Sequence, residues 1–372
     1  MGQPIRILHV VTKMDAAGIE TLLMNIYRNI NHDKVQFDFL THRSEKGFYD
    51  DEILELGGRI YNVPPINPLK HKQYLNSLDN FFNIHKEYKI VHSHVNTYSM
   101  YALRAAKRAR VPIRIAHSHI ANVPLDLKTP FRIYTKSKLK KQSTHNFACS
   151  EMAGEWLYGP KSITKENFKI INNSINASAY IFNEEIRKKN RTEMGLEKKF
   201  VIGHIGRFNK QKNHDFLIDI FKIIHEKEPN SVLMLIGIGE LQDRIKKKVI
   251  DLGLHNSVIF IGVSSNVNEL LQVMDVFVFP SIYEGLGIVV VEAQAAGMQC
   301  IVSDRIPNEA FITDLIEGMP LKSSAESWAL KILKHDNDYK RRNTYEVVSS
   351  SGYDIKNTVL WLEDFYLRNW KE

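Results

Sequence analysis

The densest chemistry in the chain lies in the run Phe279-Pro280-Ser281-Ile282-Tyr283-Glu284-Gly285-Leu286-Gly287, continued by Ile288-Val289-Val290-Val291-Glu292. Residues 276–280 read as a buried strand that stops at a proline; a glycine turn follows, then a helix without charge until Glu292. Ligands of open α/β sheets sit at the carboxyl ends of strands. A helix start offers free N–H groups and the positive end of a dipole, which suit a phosphate. Gly285 and Gly287 let the backbone come close to a ligand, so Gly285, Leu286, Gly287 and Ile288 form the expected cradle. The carboxylates on either side fit hydroxyls better than phosphate: Glu284 would face a sugar and Glu292 a ribose. Eight residues of helix span roughly 12 Å, about the scale of a sugar–diphosphate–ribose ligand. A purely structural role would make Glu284 a helix cap and Glu292 a solvated residue, but Glu292 stands among Val289, Val290, Val291, Ala293 and Ala295.

Charge to match a diphosphate is available in Gly206-Arg207-Phe208-Asn209-Lys210-Gln211-Lys212, directly after an apolar run at 200–206. The guanidinium of Arg207 suits bidentate phosphate contact, and Lys212 supplies a point charge. Basic residues after a strand are commonly solvated; it is the pairing with the glycine turn that gives these two meaning. Gly237-Ile238-Gly239 is a third glycine turn at a strand end, weak by itself.

Two histidine pairs, His92-Ser93-His94 and His117-Ser118-His119, each close an apolar run. Paired H-x-H motifs at strand ends also begin the zinc sites of some hydrolases. Such a site needs further ligands at later strand ends, and the obvious one, Asp304, lies in the other half of the chain. Histidines hydrogen-bonded at a strand end are the structural alternative. Asp336-Asn337-Asp338 has the D-x-D form of a Mg or Mn site, yet it sits between Lys334-His335 and Lys340-Arg341-Arg342 with no apolar strand before it. It reads as a solvated turn, and no metal and no cofactor are assigned. Residues 128–141 interleave Phe131, Tyr134 and Leu139 with six basic residues. That composition suits peripheral contact with an anionic membrane surface, with a solvated lysine-rich helix as the alternative. No nucleic-acid-binding module is present.

These residues need a scaffold, and the rest of the chain supplies its pattern. Apolar runs at 5–11, 36–40, 59–63, 89–93, 112–117 and 144–149, then at 200–206, 231–237, 257–262, 276–280 and 300–303, alternate with helical patterns. Strands separated by amphipathic helices mean βαβ crossovers and parallel sheets. The order restarts near residue 200, so two doubly wound α/β domains are expected, 1–180 and 181–354, with a boundary in the polar 176–199 stretch. Val359, Leu362, Tyr366 and Trp370 form one stripe of a last helix, 355–372, that should pack back on the first domain. The 372 residues, 44% hydrophobic and 25% charged, exclude a disordered or disulfide-stapled chain. Lys plus Arg 50 against Asp plus Glu 42 gives +8, but residues 101–150 alone carry 11 basic and 1 acidic residue, so the remainder sums to −2. Two cysteines beside apolar runs and no signal peptide or apolar span suggest a cytoplasmic protein, at most peripheral on the inner membrane face.

Gly206-Arg207 and Lys212, about 70 residues before Glu284-Gly285-Leu286-Gly287 and Glu292, resemble the signature of the retaining family 4 glycosyltransferases. Glu284 and Glu292 match that family's E-x7-E motif. Ser150-Glu151, Ile170-Ile171-Asn172-Asn173 and Asn266-Val267 extend the similarity over most of the chain. The resemblance implies the GT-B fold and a metal-independent, retaining transfer. The donor would be a nucleotide-sugar, UDP-linked on family grounds, bound by the second domain; the first would bind a glycan or lipid-linked acceptor, as in exopolysaccharide or capsule synthesis. It maps the basic pair to Arg207 and Lys212, the sugar and ribose carboxylates to Glu284 and Glu292, and a cleft histidine to His119, with His117 the alternative. The family's amino-terminal Gly-Gly-x-Glu loop is here Ala17-Gly18-Ile19-Glu20, which leaves Gly18 as the donor-facing glycine; Leu286 replaces the usual aromatic. A metal-dependent hydrolase, a sugar-nucleotide epimerase and a non-catalytic sugar-binding partner are the competing readings.

Overall fold

A computed structural model describes residues 3–120, 126, 129–334 and 339–370. It divides into two compact units, Met1–Ile175 with Ile355–Glu372, and Asn176–Asp354. In the first, β1 (Ile5–Val10), β2 (Val35–Thr41), β3 (Arg59–Asn62), β4 (Ile90–Ser93), β5 (Ile113–Ser118), β6 (His145–Ala148) and β7 (Phe168–Ile170) form one sheet in the order β3-β2-β1-β4-β5-β6-β7. In the second, β8 (Phe200–Ile205), β9 (Ser231–Ile236), β10 (Val258–Gly262), β11 (Val276–Phe279), β12 (Gln299–Ser303) and β13 (Ile316–Met319) run in the order β10-β9-β8-β11-β12-β13. Every pairing is parallel. Sheets covered by helices on both faces explain why the central strands read as continuous apolar runs rather than alternating ones.

In each sheet the strand order reverses beside the first strand of its unit, between β1 and β4 and between β8 and β11. Crossover helices leave toward opposite faces at such a point and open a crevice at the carboxyl ends of the strands. The histidine pairs lie at the carboxyl ends of β4 and β5, and Arg207 and Glu284 follow β8 and β11, the strands on either side of the second reversal.

The first sheet has a core on each face. One is closed by the last helix, Ile355–Trp370, whose Ile355, Val359, Leu362, Phe365 and Tyr366 pack with Phe37 and Phe147. Its start is tied in by the Ile355 N–H, which donates to the Ile175 carbonyl, and by the Ser174–Thr358 hydroxyl pair at 2.5 Å. The second unit closes around Phe221, Leu233, Val278 and Trp328. Cys149 and Cys300 are both buried and unpaired.

Two details differ from the sequence reading. The polar 176–199 stretch is part of the second unit: it holds the helix Glu184–Glu193, whose Arg191 is buried against Asp275 at 3.1 Å. Arg187 also donates to Asp275, which accepts as well from the Val201 N–H at 2.7 Å. A charged sequence here marks a helix anchored by a shared carboxylate, and the division falls at 175/176 rather than 180/181. The edge strands β7 and β13 lie outside the apolar runs. They are three and four residues long, have no buried residue, and carry no apolar run to signal them.

Candidate active site

The second-unit cluster is built by two loops leaving adjacent strands. The loop after β8 is pinned to the segment after β11 by three hydrogen bonds. Ile282 N–H donates to the Gln211 carbonyl at 2.8 Å, Gln211 Nε2 to the Tyr283 carbonyl at 2.9 Å, and Asn213 Nδ2 to the Pro280 carbonyl at 3.1 Å. Gly237 and Gly239 belong to the same packing. A Cβ on Gly237, at φ +132°, would lie 2.3 Å from the Gly206 carbonyl oxygen, and one on Gly239 2.5 Å from that of Phe208. Neither turn tolerates a side chain, so the weak Gly237-Ile238-Gly239 signal marks a close approach of backbones.

Within this frame Lys212 Nζ donates to Glu284 Oε1 at 2.6 Å, with side-chain exposures of 15% and 7%, and lies 4.6 Å from the Phe279 ring centre. The two residues, 72 apart in sequence, form one mostly buried ion pair. Arg207 is largely exposed and pairs with Glu240 at 3.3 Å. Gly285 and Leu286 precede the helix, and Gly287 caps it in the left-handed region at φ +79°. The helix runs Ile288–Ala295, so the carboxylates do not share eight residues of helix: Glu284 is on the turn and Glu292 one turn in. Glu292 is buried at 6% exposure and accepts from the Tyr180 hydroxyl at 3.0 Å. Burial pushes its pKa up to about 7, against the opposing pull of that hydrogen bond. A solvated role for Glu292 is thereby ruled out. Tyr180, 112 residues away, had no sequence signal.

The first unit gathers histidines. H-x-H spacing puts both rings of a pair on one face of a strand, and β1 aligns His9 with His92 in the register. Five rings result. His9 Nδ1 and His94 Nε2 are 3.0 Å apart, His94 Nδ1 and His119 Nε2 2.9 Å, and His92 Nε2 and His117 Nδ1 3.1 Å; His92 Nδ1 meets the Tyr366 hydroxyl at 2.8 Å. Burial drives all five below the ordinary histidine range, His9 and His119 to about 3. His119 is half-buried and follows β5, while His117 lies inside it. His9 was missed because a single histidine in an apolar run carries no spacing signal. Gly18 opens the helix Gly18–Asn29, and apart from its chain neighbours and its own helix backbone nothing lies within 4 Å of where its Cβ would stand. Glu20, in the first turn, is buried, and burial raises it to about 7.

Asp336 to Asp338 and Lys128 lie outside the described residues. The basic stretch forms the helix Thr129–Leu139. Leu139 is buried and Phe131 packs on Tyr98 and Tyr101, whereas Ile133, Tyr134, Lys138, Lys140 and Lys141 are exposed. Among the described residues no helix is long and apolar enough to cross a membrane.

Residues 16–179 match the family model described as Glycosyltransferase Family 4, and residues 184–347 that described as Glycosyl transferases group 1. Putative glycosyltransferase EpsF of Bacillus subtilis is 32% identical over 97% of this chain and 96% of its own. The UDP-Gal:alpha-D-GlcNAc-diphosphoundecaprenol alpha-1,3-galactosyltransferase of Escherichia coli is 25% identical over 98% and 97%. Among solved structures, Anabaena Alr3699/HepE in complex with UDP and glucose superimposes with a TM-score of 0.77 at 18% identity, covering 98% of this chain and 100% of that one. At that identity the likeness concerns the fold, which is GT-B.

Proposed function

The chain belongs to glycosyltransferase family 4, and on that premise we propose that it moves a hexose or N-acetylhexosamine from a UDP-sugar to a lipid-linked glycan, with retention, in exopolysaccharide or capsule synthesis. The observation that carries the reading is the Lys212–Glu284 pair beside the capped helix start at Gly287, with Arg207 on the neighbouring strand end. A cation, a carboxylate and an anion-binding helix terminus on the loops that leave two adjacent strands suit a sugar diphosphate. Support for UDP and for a lipid diphosphate comes from the galactosyltransferase relative, whose name specifies both.

In this reading Glu284 accepts from a sugar hydroxyl and Glu292 from the ribose, while Arg207, Lys212 and the N–H groups of residues 285–288 hold the diphosphate. The acceptor oxygen bonds to the anomeric carbon on the face the diphosphate leaves, and its proton passes to the departing phosphate oxygen. Charge developing on that oxygen is stabilised by Arg207 and Lys212, without a metal or other cofactor. The first unit, which carries His119 and Gly18, takes the acceptor. Tyr134 and Lys138 of Thr129–Leu139, with Lys140 and Lys141 just after it, face an anionic leaflet where a lipid-linked acceptor resides. The test is product analysis: protein, UDP-sugar and a polyprenyl-diphosphate-linked sugar should give a disaccharide whose new anomeric centre matches the donor. An inverted centre would refute the mechanism, and no transfer with any UDP-sugar would refute the donor.

A further inference from the structure

We propose that the histidine cluster of the first unit is a binding site for one late transition-metal ion, Zn2+ or Cu2+, held by His94, His117 and His119. Each of these three offers a ring nitrogen, and the three atoms lie within 4.8 Å of one another. In a tetrahedral zinc site, ligands at 2.0–2.1 Å stand about 3.4 Å apart, so the rings need close by only about 1.4 Å.

Hydrogen bonding within the cluster leaves a deficit at two of these residues, and His94 would exchange one of its two ring contacts for the metal. Of the ten ring nitrogens on the five histidines, His9 Nε2, His117 Nε2 and His119 Nδ1 are buried without a partner. A buried polar atom left unpaired loses its hydration without compensation, and two of these three belong to the triad. A second triad, His9, His92 and His94, has the same proximity but is buried throughout and holds one unpaired nitrogen. His119, half-buried, gives the first triad its way in from solvent. The triad contains only imidazole ligands, which select Zn2+ and Cu2+ over Mg2+ and Mn2+. The site is therefore no substitute for the carboxylate-bound metal of a D-x-D motif, and it plays no part in holding a diphosphate. If the transfer reading is right, an occupying ion withdraws His119 and slows transfer; binding itself does not depend on that reading.

The test is metal binding by the full-length, tag-free protein, stripped of metal and dialysed against Zn2+, Cu2+ or Mg2+, with content measured by mass spectrometry. One Zn2+ or Cu2+ per chain is expected, and no Mg2+. Outer partners of metal ligands are worth about 10–100-fold in affinity, so His94→Ala and His117→Ala should each weaken Zn2+ by more than about a hundredfold, whereas His9→Ala, which removes only an outer partner of His94, should weaken it by no more than about 10–100-fold. Failure to retain Zn2+ or Cu2+, or loss of binding in His9→Ala with retention in His117→Ala, overturns the assignment. Should the variants not fold, the electron spin resonance of Cu2+ on the unaltered protein decides: three imidazole nitrogens support the site and fewer overturn it. Because dialysis reads occupancy and product analysis reads transfer, the two proposals fail separately.

Discussion

Removing the Tyr180 hydroxyl should change how nucleotide binding depends on pH. Glu292 can accept from ribose hydroxyls with full strength only when ionised, and burial holds its pKa at about 7 even with Tyr180 donating at 3.0 Å. A hydrogen bond to a charged group is worth about 1.5–3 kcal/mol, or about one to two pKa units. Tyr180→Phe should therefore move the midpoint from about 7 to about 8–9. At pH 7 the ionised fraction drops from about one half to between roughly a tenth and a hundredth, so UDP affinity falls about 5–50-fold. Above the new midpoint affinity should recover. Calorimetric titration of UDP into both proteins from about pH 5.5 to 9.5 reads this directly. Curves that run parallel, or a variant as weak at high pH as at pH 7, would refute the ribose role of Glu292. Stability offers an internal check. A carboxyl raised from 4.5 to about 7 binds more protons folded than unfolded, so unfolding free energy should fall as pH rises through that window, by about 3 kcal/mol. In Tyr180→Phe the fall should continue to higher pH.

Other expectations concern the rest of the site. Lys212→Ala leaves the Glu284 carboxylate mostly buried without its cation, which should cost about 3–5 kcal/mol in chemical denaturation; adding Glu284→Gln should restore much of the stability and none of the turnover. Arg207→Ala, at an exposed position, should leave the melting temperature unchanged and lower kcat more than it raises donor KM, as expected for a group acting on developing charge. Gly237→Ala should destabilise by more than the 1–3 kcal/mol typical of backbone strain, because its Cβ meets a backbone carbonyl, and the loss should appear in both denaturation and donor binding. Replacing Lys138, Lys140 and Lys141 by Gln should reduce partition onto phosphatidylglycerol vesicles in a sedimentation assay, at about 1 kcal/mol per lysine, while partition onto neutral vesicles stays the same.

What the sequence conveys and what it withholds follow from the range of each interaction. Central strands such as β4 and β11 are legible because they are buried on both sides, and strand-end glycines announce the turns. The E-x7-E spacing brings Glu284 and Glu292 to the same segment because a turn and a helix start are local structures. The partners of those carboxylates are not local: Lys212 reaches Glu284 only because β8 and β11 are neighbours, and Tyr180 reaches Glu292 from the start of the second unit. The H-x-H pairs are visible one strand at a time, whereas their convergence with His9 follows from the order β1-β4-β5. Helix Glu184–Glu193 looks like a linker because its anchoring carboxylate, Asp275, is more than 80 residues away.

The central claim is metal-independent transfer from a nucleotide-sugar. It is tested most directly by nucleoside-diphosphate release from UDP-, GDP- and ADP-sugars by the purified protein, with a lipid-linked acceptor present and with or without EDTA. The account predicts release from a UDP-sugar that survives EDTA and is lost in Glu284→Gln. Release abolished by EDTA and restored by Mg2+ or Mn2+, or release from a GDP- or ADP-sugar alone, would contradict it.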